Sequence, residues 1–482
     1  MIERLRDRLA EVDFTVDAVG ELLGPAAHAA LLRNETTPAR RATADGSALS
    51  TLVRLFQLQL PVPRESAERA LPGSIADLVE VGLLGADGSD VHARADLRPY
   101  GDDDHDWWVV CDLTPGLDTQ PVVVGPDHVL GISEASSSLA RLTVRRDADR
   151  VLDLGTGCGV QALHLAGHSR EVVATDVNPR ALWAARLTTE LNGVDADVRQ
   201  GSLYEPVAGE RFDLVVTNPP FVVSPPSDDR LVYRESDLPG DDVVRRIVAG
   251  AHHHLRPDGW CQVLASWMHT ADRPWEERLQ GWIEPTGLDA WVVQREVVDL
   301  PAYVEMWLAD AGLRHRPDYV RRYDEWLSWF AEQGVEAMAF GWIDLRNAGR
   351  EAPVVRTETW QHDVAGSMGP AVLAWADRVD ALADADDVLA ACWRQVPGLV
   401  QETFGPAGAT DPEAIVLRLA EGPRRARQVD TVEAGLVGAL DGELTAGQVL
   451  DALATLLERD ADELRERYRP VVHDLVADGY LH

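Results

Sequence analysis

Lysine is absent from the 482-residue chain, and all 45 of its basic residues are arginines. That excludes Schiff-base chemistry and a lysine general base. Cysteine is scarce: Cys111, Cys158, Cys261 and Cys392 stand far apart and form no CxxC pair. Neither a disulfide framework nor a zinc site follows from such spacing, and no metal is expected. Positive charge is outnumbered, with 80 Asp and Glu leaving a formal net charge of −35. The average field of this chain repels polyanions, and the acidity itself is read as a solubility device. No apolar run reaches the ~20 residues of a spanning helix. The opening "MIERLRDRLAEVD" also lacks the apolar core of a signal peptide, so a cytoplasmic protein without a membrane partner is expected. What remains is 45% hydrophobic and 26% charged, the composition of a globular protein. The length allows roughly three domains.

Three regions follow one another. Residues 1–105 are mostly helical, with "LSTLVRLFQLQL", "ESAERAL" and "SIADLVEVGLL" as short amphipathic runs. Then "DVHARADLRPYG" and "DWWVVCDL" read as two strands around an acidic turn, giving a module that resembles a winged helix. At this net charge it suits docking better than DNA binding. Residues 106–350 alternate strands with helices, the signature of a parallel α/β sheet, and seven strands are counted there. A helical insertion, at about 301–334, separates the last two. Residues 365–482 are helical and acidic, and their end again resembles a winged helix.

The chemistry lies in the middle region. In "VLDLGTGCGVQAL" a strand meets a glycine-rich turn and then a helix. Gly155, Gly157 and Gly159 let backbone pass close to a ligand, and the helix beginning near Val160 aims free N–H groups at an anion. Asp153 precedes the glycines within the strand. Asp176, at the end of the next strand in "VVATDVNPRAL", stands where a carboxylate can accept two ribose hydroxyls. A diphosphate-binding turn follows GxGxxG, which this stretch does not.

"VLDLGTGCG", "ATDVNPRAL" and "NPPF" together resemble the class I S-adenosylmethionine-dependent methyltransferases, in the branch that methylates planar nitrogens. The resemblance spans roughly residues 120–270 and implies a Rossmann-like, seven-stranded α/β domain with winged-helix-like regions on either side. It implies S-adenosyl-L-methionine as cofactor, with Asp153 and the Gly155, Thr156, Gly157, Gly159 turn bordering its methionine moiety. Asp176 and Val177 would hold the ribose, and Ser202 and Leu203 of "RQGSLYEP" the adenine, with Asn218 closing the site. Relatives often carry an acidic residue where Ser202 stands.

"FDLVVTNPPFVVSPP" ends a buried strand in two prolines and an aromatic. An amide or nucleobase nitrogen delocalises its lone pair, so two acceptors that hold both N–H hydrogens favour a pyramidal nitrogen. The Asn218 side-chain oxygen and the Pro219 carbonyl provide such a pair. Pro219 and Pro220 stiffen the loop without adding donors, and Phe221 offers a face for stacking. The longer "NPPFVVSPP" resembles release-factor glutamine methyltransferases, where tyrosine stands for Phe221. Phenylalanine occurs there in several ribosomal-RNA guanine and adenine methyltransferases. A protein glutamine is the favoured acceptor, with an RNA or DNA exocyclic amine as the alternative. A DNA-binding regulator that only senses the cofactor is the reading from another class.

Other features carry plain readings. His252, His253 and His254 point in different directions on one helix, as a solvated helix end. Cys158 is a small residue that fits, and "RPYGDDDHDWW" is an acidic turn. The serines of "VLGISEASSSLA" are candidates for covering the cofactor, and Arg230, Tyr233 and Arg234 for lining the substrate entrance.

Overall fold

The computed structural model describes residues 1–482 except 121–123, 227–230, 233, 236–237, 315 and 408–411. The chain divides into two compact units, Met1–Ala140 with Asp147–Thr359, and Arg141–Arg146 with Trp360–His482.

An eight-stranded sheet organises the first unit. Its strands are β1 (Ala148–Leu154), β2 (Ser169–Asp176), β3 (Ala196–Gln200) and β4 (Phe212–Thr217). They continue as β5 (Leu255–Thr270), β6 (Asp289–Asp299), β7 (Val335–Arg346) and β8 (Val355–Thr359). The order is β8-β6-β7-β5-β4-β1-β2-β3. Strands β3, β2, β1, β4 and β5 run parallel, and β7 lies antiparallel between β5 and β6. This is a Rossmann-like sheet whose order reverses between β1 and β4, and ligands bind beyond the carboxyl ends of the strands at such a point. Strands covered on both faces must be apolar throughout, as Val151, Leu152, Leu214, Val215 and Val216 are.

The eighth strand corrects the count of seven. Val355–Thr359 reads "VRTET", partly exposed along its length, and pairs only with β6 at the sheet edge. A strand laddered on one side needs no apolar run, so periodicity gave no signal for it.

Helices α1 (Val160–Ala166) and α2 (Pro179–Leu191) follow β1 and β2. Asn178 caps α2 by accepting the Arg180 N–H, with Pro179 in the first turn. Helices α3 (Asp242–His254) and α4 (Trp275–Ile283) cover the β4–β5 side, where Ile247, Val248 and Leu279 pack on Val215, Val263 and Ala265. Between β6 and β7 stand α5 (Leu300–Asp310) and α6 (Tyr319–Glu332). Their Tyr303, Val304 and Phe330 share a core with Met338 of β7 and with Val222 and Val223.

The segment before β1 adds helices from Ile2–Glu11 onward and two small sheets. "DVHARADLRPYG" is split, not continuous: Asp90–Ala93 pairs with Leu84–Asp87, and Asp96–Gly101 with Asp106–Cys111. This segment shares its core with Leu187 and Leu191 of α2. The Trp108 indole N–H, which donates to the Phe14 carbonyl at 2.7 Å, fixes it further.

The second unit holds a three-stranded antiparallel sheet (Val400–Phe404, Ala414–Arg418, Ala426–Val429) beside helices Gly369–Asp384, Thr431–Ala439, Ala446–Leu456 and Ala461–Ala477. Its core gathers Trp393, Leu436, Leu450, Val472 and Leu475.

Candidate active site

Beyond the carboxyl ends of β1, β2 and β4 lies a cavity of about 340 Å³. That is within the ~300–1,000 Å³ range of small-molecule sites.

The β1–α1 turn forms one wall. Gly155 and Gly157 have φ of +77° and +54°, and a Cβ on either would find nothing within 4 Å. Bare backbone therefore faces the cavity. Gly159, at φ +87°, differs: a Cβ there would come 3.3 Å from Ala185 Cα, so this glycine serves the packing of α1 on α2 and stands off the cavity wall.

Asp153 is also behind the wall. It is buried, and its Oδ2 accepts the Thr156 hydroxyl at 2.6 Å and the Ala162 N–H at 3.0 Å. The expectation that it borders a ligand is corrected: it braces the turn. The same bond takes one early N–H of α1, that of Ala162, while Val160 and Gln161 at the helix start line the cavity. Burial pushes its carboxyl up to about 7. Thr156 and Cys158 do line the cavity. Burial holds the Cys158 thiol up at about 12, which keeps it protonated and unreactive.

Asp176 lines the cavity from the end of β2. Its Oδ2 accepts the Gly157 N–H at 2.9 Å and its Oδ1 the Asn178 N–H at 2.9 Å, so the carboxylate ties the two β–α turns together. Burial raises its pKa. Val177, Ser202 and Leu203 complete this end. Leu203 sits at φ +47°, a conformation leucine rarely adopts, and such strain concentrates at ligand sites. Gly201, two residues earlier, is tightly confined, since a Cβ there would meet Pro206 Cγ at 2.5 Å and force the ring to shift.

Asn218, Pro219 and Pro220 line the cavity from the end of β4. The Thr217 hydroxyl donates to the Leu154 carbonyl at 2.7 Å and fixes the start of the loop against β1. The Asn218 Oδ1 is buried and has no hydrogen-bond partner among the described residues. An unsatisfied buried acceptor costs about 1–3 kcal/mol, and such a group calls for an explanation. Phe221 is not on the cavity wall: its ring meets Phe340 edge-on at 6.2 Å, and its carbonyl accepts the Ser266 hydroxyl at 2.6 Å. The ring packs against β7 instead of standing in the cavity lining.

Ser133 and Ser136 of the serine-rich segment line the cavity with His128. Burial lowers the His128 pKa and favours the neutral ring. Glu235 and Leu238 line it as well. No motif pointed to these residues: Glu235 stands in "YRESDLPGDD", where several acids and an arginine surround it and none is singled out. Arg230 and Tyr233 lie outside the described residues. Arg234 is buried and paired with Glu235 and Asp310, so it does not face an entrance. At the histidine run, His254 is buried, stacked on Tyr204 at 4.4 Å, and packs as core. Among the described residues no group of three or more His, Cys, Asp or Glu is placed to hold a metal ion. No described helix is long and apolar enough to cross a membrane.

The lining thus combines bare backbone and a carboxylate with a two-proline loop whose Asn218 amide oxygen has no partner among the described residues. S-adenosyl-L-methionine fits such a lining: its amino-acid end needs close backbone, its ribose an acceptor, and its methyl group must face the acceptor atom.

Residues 131–280 match the family model described as Methyltransferase small domain. Residues 11–94 and 373–482 match two models, each described as a domain of unknown function (DUF7059 and DUF7782). The chain is 35% identical over 168 residues to the release factor glutamine methyltransferase of Xylella fastidiosa (strain Temecula1), covering 32% of this chain and 60% of that protein. It is 37% identical over 145 residues to the ribosomal protein uL3 glutamine methyltransferase of Bradyrhizobium diazoefficiens, covering 27% and 44%. To the ribosomal RNA small subunit methyltransferase C of Citrobacter koseri it is 30% identical over 179 residues, covering 36% and 47%. The chain spans about half the length of the curated relatives it matches. A solved structure of a T. Thermophilus 16S rRNA methyltransferase (RsmC), in complex with AdoMet and guanosine, aligns at 21% identity with a TM-score of 0.29, covering 48% of this chain and 60% of that one.

Proposed function

We propose, from residues 131–280 as a methyltransferase small domain dependent on S-adenosyl-L-methionine, that the protein methylates a planar amide or amine nitrogen, and that its acceptor is a protein glutamine side chain. The observation that carries this reading is the buried, unpartnered Oδ1 of Asn218. When bound, the cofactor supplies a methyl group already activated on a sulfonium.

The residues divide the remaining work. Gly155 and Gly157 bring bare backbone to the amino-acid end of the donor. Asp176 keeps a lone pair on each oxygen for the ribose hydroxyls. Val177 and Leu203 give the adenine an apolar rim, and the Ser202 hydroxyl can accept from its amine. Asn218 Oδ1 and the Pro219 carbonyl accept the two N–H hydrogens of the acceptor nitrogen, turning its lone pair out of conjugation. The prolines hold these oxygens in place before the acceptor arrives. Positioning of this kind lowers barriers by ~7–11 kcal/mol, and the proton leaves to water after transfer. No side chain need act as a strong base, which agrees with Asp153 being turned away and Cys158 staying protonated. Asp153 and Gly159 act at one remove, by bracing the turn and α1. In place of Phe221, Pro220 and Leu238 supply the apolar contact for the planar group.

The net charge of −35 favours a protein acceptor over a polyanion, and two of the relatives above are named for protein glutamine. A nucleobase exocyclic amine is the second reading, supported by the ribosomal RNA relative. A cofactor-sensing regulator has no use for an unpartnered amide acceptor held in a two-proline loop of the cavity lining. Incubating the protein with methyl-labelled cofactor and cell lysate separates the two substrate readings. Label that protease releases and nuclease leaves is the expected result; label that nuclease releases would move the assignment to RNA or DNA.

A further inference from the structure

We propose that Glu235 selects the methyl-accepting group, and that α5 sets its orientation through Arg234. This rests on the amide or amine reading above and adds a residue that no motif identified.

Glu235 is 7% exposed and lines the same cavity as Asn218. A β-bridge to Val222, whose N–H donates to the Arg234 carbonyl at 2.8 Å, places it beside the Asn218–Phe221 loop. The carboxylate is held in two directions. Its Oε2 accepts the Leu231 N–H at 3.1 Å, and its Oε1 accepts Arg234 Nη2 at 3.0 Å. Each oxygen keeps acceptor capacity beyond these bonds.

Arg234 does not neutralise this group alone. It is 6% exposed, and its Nη1 donates to the Trp307 carbonyl at 2.9 Å and to Asp310 Oδ2 at 2.8 Å, both on α5. One guanidinium is thus shared between two carboxylates. A buried charge is tolerated only when paired and hydrogen-bonded, and this pairing fixes where the carboxylate can point.

The cavity lining beside the Asn218–Phe221 loop therefore carries two acceptor groups: the Asn218 carbonyl oxygen, without a partner among the described residues, and the Glu235 carboxylate, whose ionised donor there is Arg234. A primary carboxamide or an exocyclic amine brings two N–H groups to such a lining. A carboxylate of the same shape brings only lone pairs and a like charge, which the low-dielectric cavity makes costly. Rejection of a close isostere by buried polar groups left unpaired is the strongest discrimination that a binding site achieves. Glu235 then separates glutamine from glutamate, or an amine edge from a keto edge, before transfer begins.

The test uses full-length protein saturated with S-adenosylhomocysteine, and three probes: N-acetyl-L-glutamine N-methylamide, its glutamate counterpart, and guanosine. Affinities are read by calorimetry or saturation-transfer NMR in wild type, Glu235→Gln and Asp310→Asn. Wild type is expected to prefer the carboxamide, or the amine of guanosine, over the carboxylate. Glu235→Gln presents its own amide to the site and is expected to lose about tenfold in that preference, the size of a charge-assisted hydrogen bond. S-adenosylhomocysteine affinity and Tm should stay within twofold and a few degrees, readouts that a merely structural role would not spare. Asp310, half-exposed, can be changed without burying anything new. Asp310→Asn is expected to give a smaller loss in the same direction and decides the matter should Glu235→Gln fail to fold. Unchanged preference in a folded Glu235→Gln, or a loss of S-adenosylhomocysteine affinity instead, overturns the role of Glu235 and leaves the methylation reading standing. Wild type binding neither the carboxamide nor guanosine overturns both.

Discussion

The phenol oxygen of Tyr303 accepts the backbone N–H of Val223 at 2.8 Å. Tyr303 is fully buried on α5, and Val223 follows Asn218 by five residues. On another side the Ser266 hydroxyl of β5 donates to the Phe221 carbonyl at 2.6 Å. A loop stiffened by two prolines is thus pinned to the central sheet and to the insertion at adjoining residues. Fixed geometry of this kind lets a backbone carbonyl and a side-chain oxygen act without reorganising.

Replacing Tyr303 by Phe removes one pin while keeping the ring in its core. The Val223 N–H is then buried without an acceptor, at a cost of about 1–3 kcal/mol. Urea unfolding is expected to show a loss of that size. Methyl transfer is expected to slow about tenfold through kcat, while S-adenosylhomocysteine affinity stays unchanged. A loss confined to cofactor affinity would place Tyr303 in a different role.

The glycines of the β1–α1 turn are expected to separate by function. Gly157→Ala sets a methyl group on open cavity wall at φ +54°, at about 1–3 kcal/mol of backbone strain. S-adenosylhomocysteine affinity should fall by at least about tenfold, since the added methyl stands where the ligand must lie. Gly159→Ala meets Ala185 instead, and its main effect should be a lower Tm. Calorimetry paired with thermal melts on both variants checks the division.

Much of this cavity lining was legible in the sequence, and the parts that were not have physical causes. The turn from Leu154 to Cys158 and the loop from Asn218 to Pro220 are local: the residues that fold the backbone are also the residues that line the cavity. Asp153 was placed on the wrong side of the turn because a strand's alternation gives the face of a side chain but not its hydrogen-bond partners. Phe221 was assigned to stacking because its motif says nothing of Phe340, more than a hundred residues later. Glu235 escaped notice because its role comes from Val222, Arg234 and Asp310, which only tertiary structure assembles. At the fold level, buried parallel strands announced themselves by apolar runs, whereas Val355–Thr359, half solvated at the edge, did not. The break at Arg94–Ala95 was hidden because a continuous extended pattern does not reveal that its two halves pair with different partners.

Acid–base behaviour offers a separate check on the sheet. Asp344 of β7 is fully buried, its Oδ1 accepts Gln262 Nε2 at 2.7 Å, and burial pushes its carboxyl up to about 7. The folded state therefore holds a proton that the unfolded chain releases near its ordinary value of 3.8. Stability from this group is complete below that value and declines as pH rises towards about 7, by up to ~1.4 kcal/mol per pH unit. Asp153 contributes with the same sign. Asp344→Asn removes the titrating group, so the fall in urea midpoint across this window should shrink, and the variant should gain on wild type above pH 7. A steeper fall in the variant would contradict the burial argument.

The most direct measurement is made on Asn218→Ala, with S-adenosylhomocysteine affinity and methyl transfer to the lysate acceptor followed in parallel. Affinity within about threefold of wild type, with transfer reduced at least a hundredfold, is the expected pair of results. Transfer that persists at the wild-type rate in this variant would contradict the role given to the Asn218 oxygen, and with it the proposed chemistry.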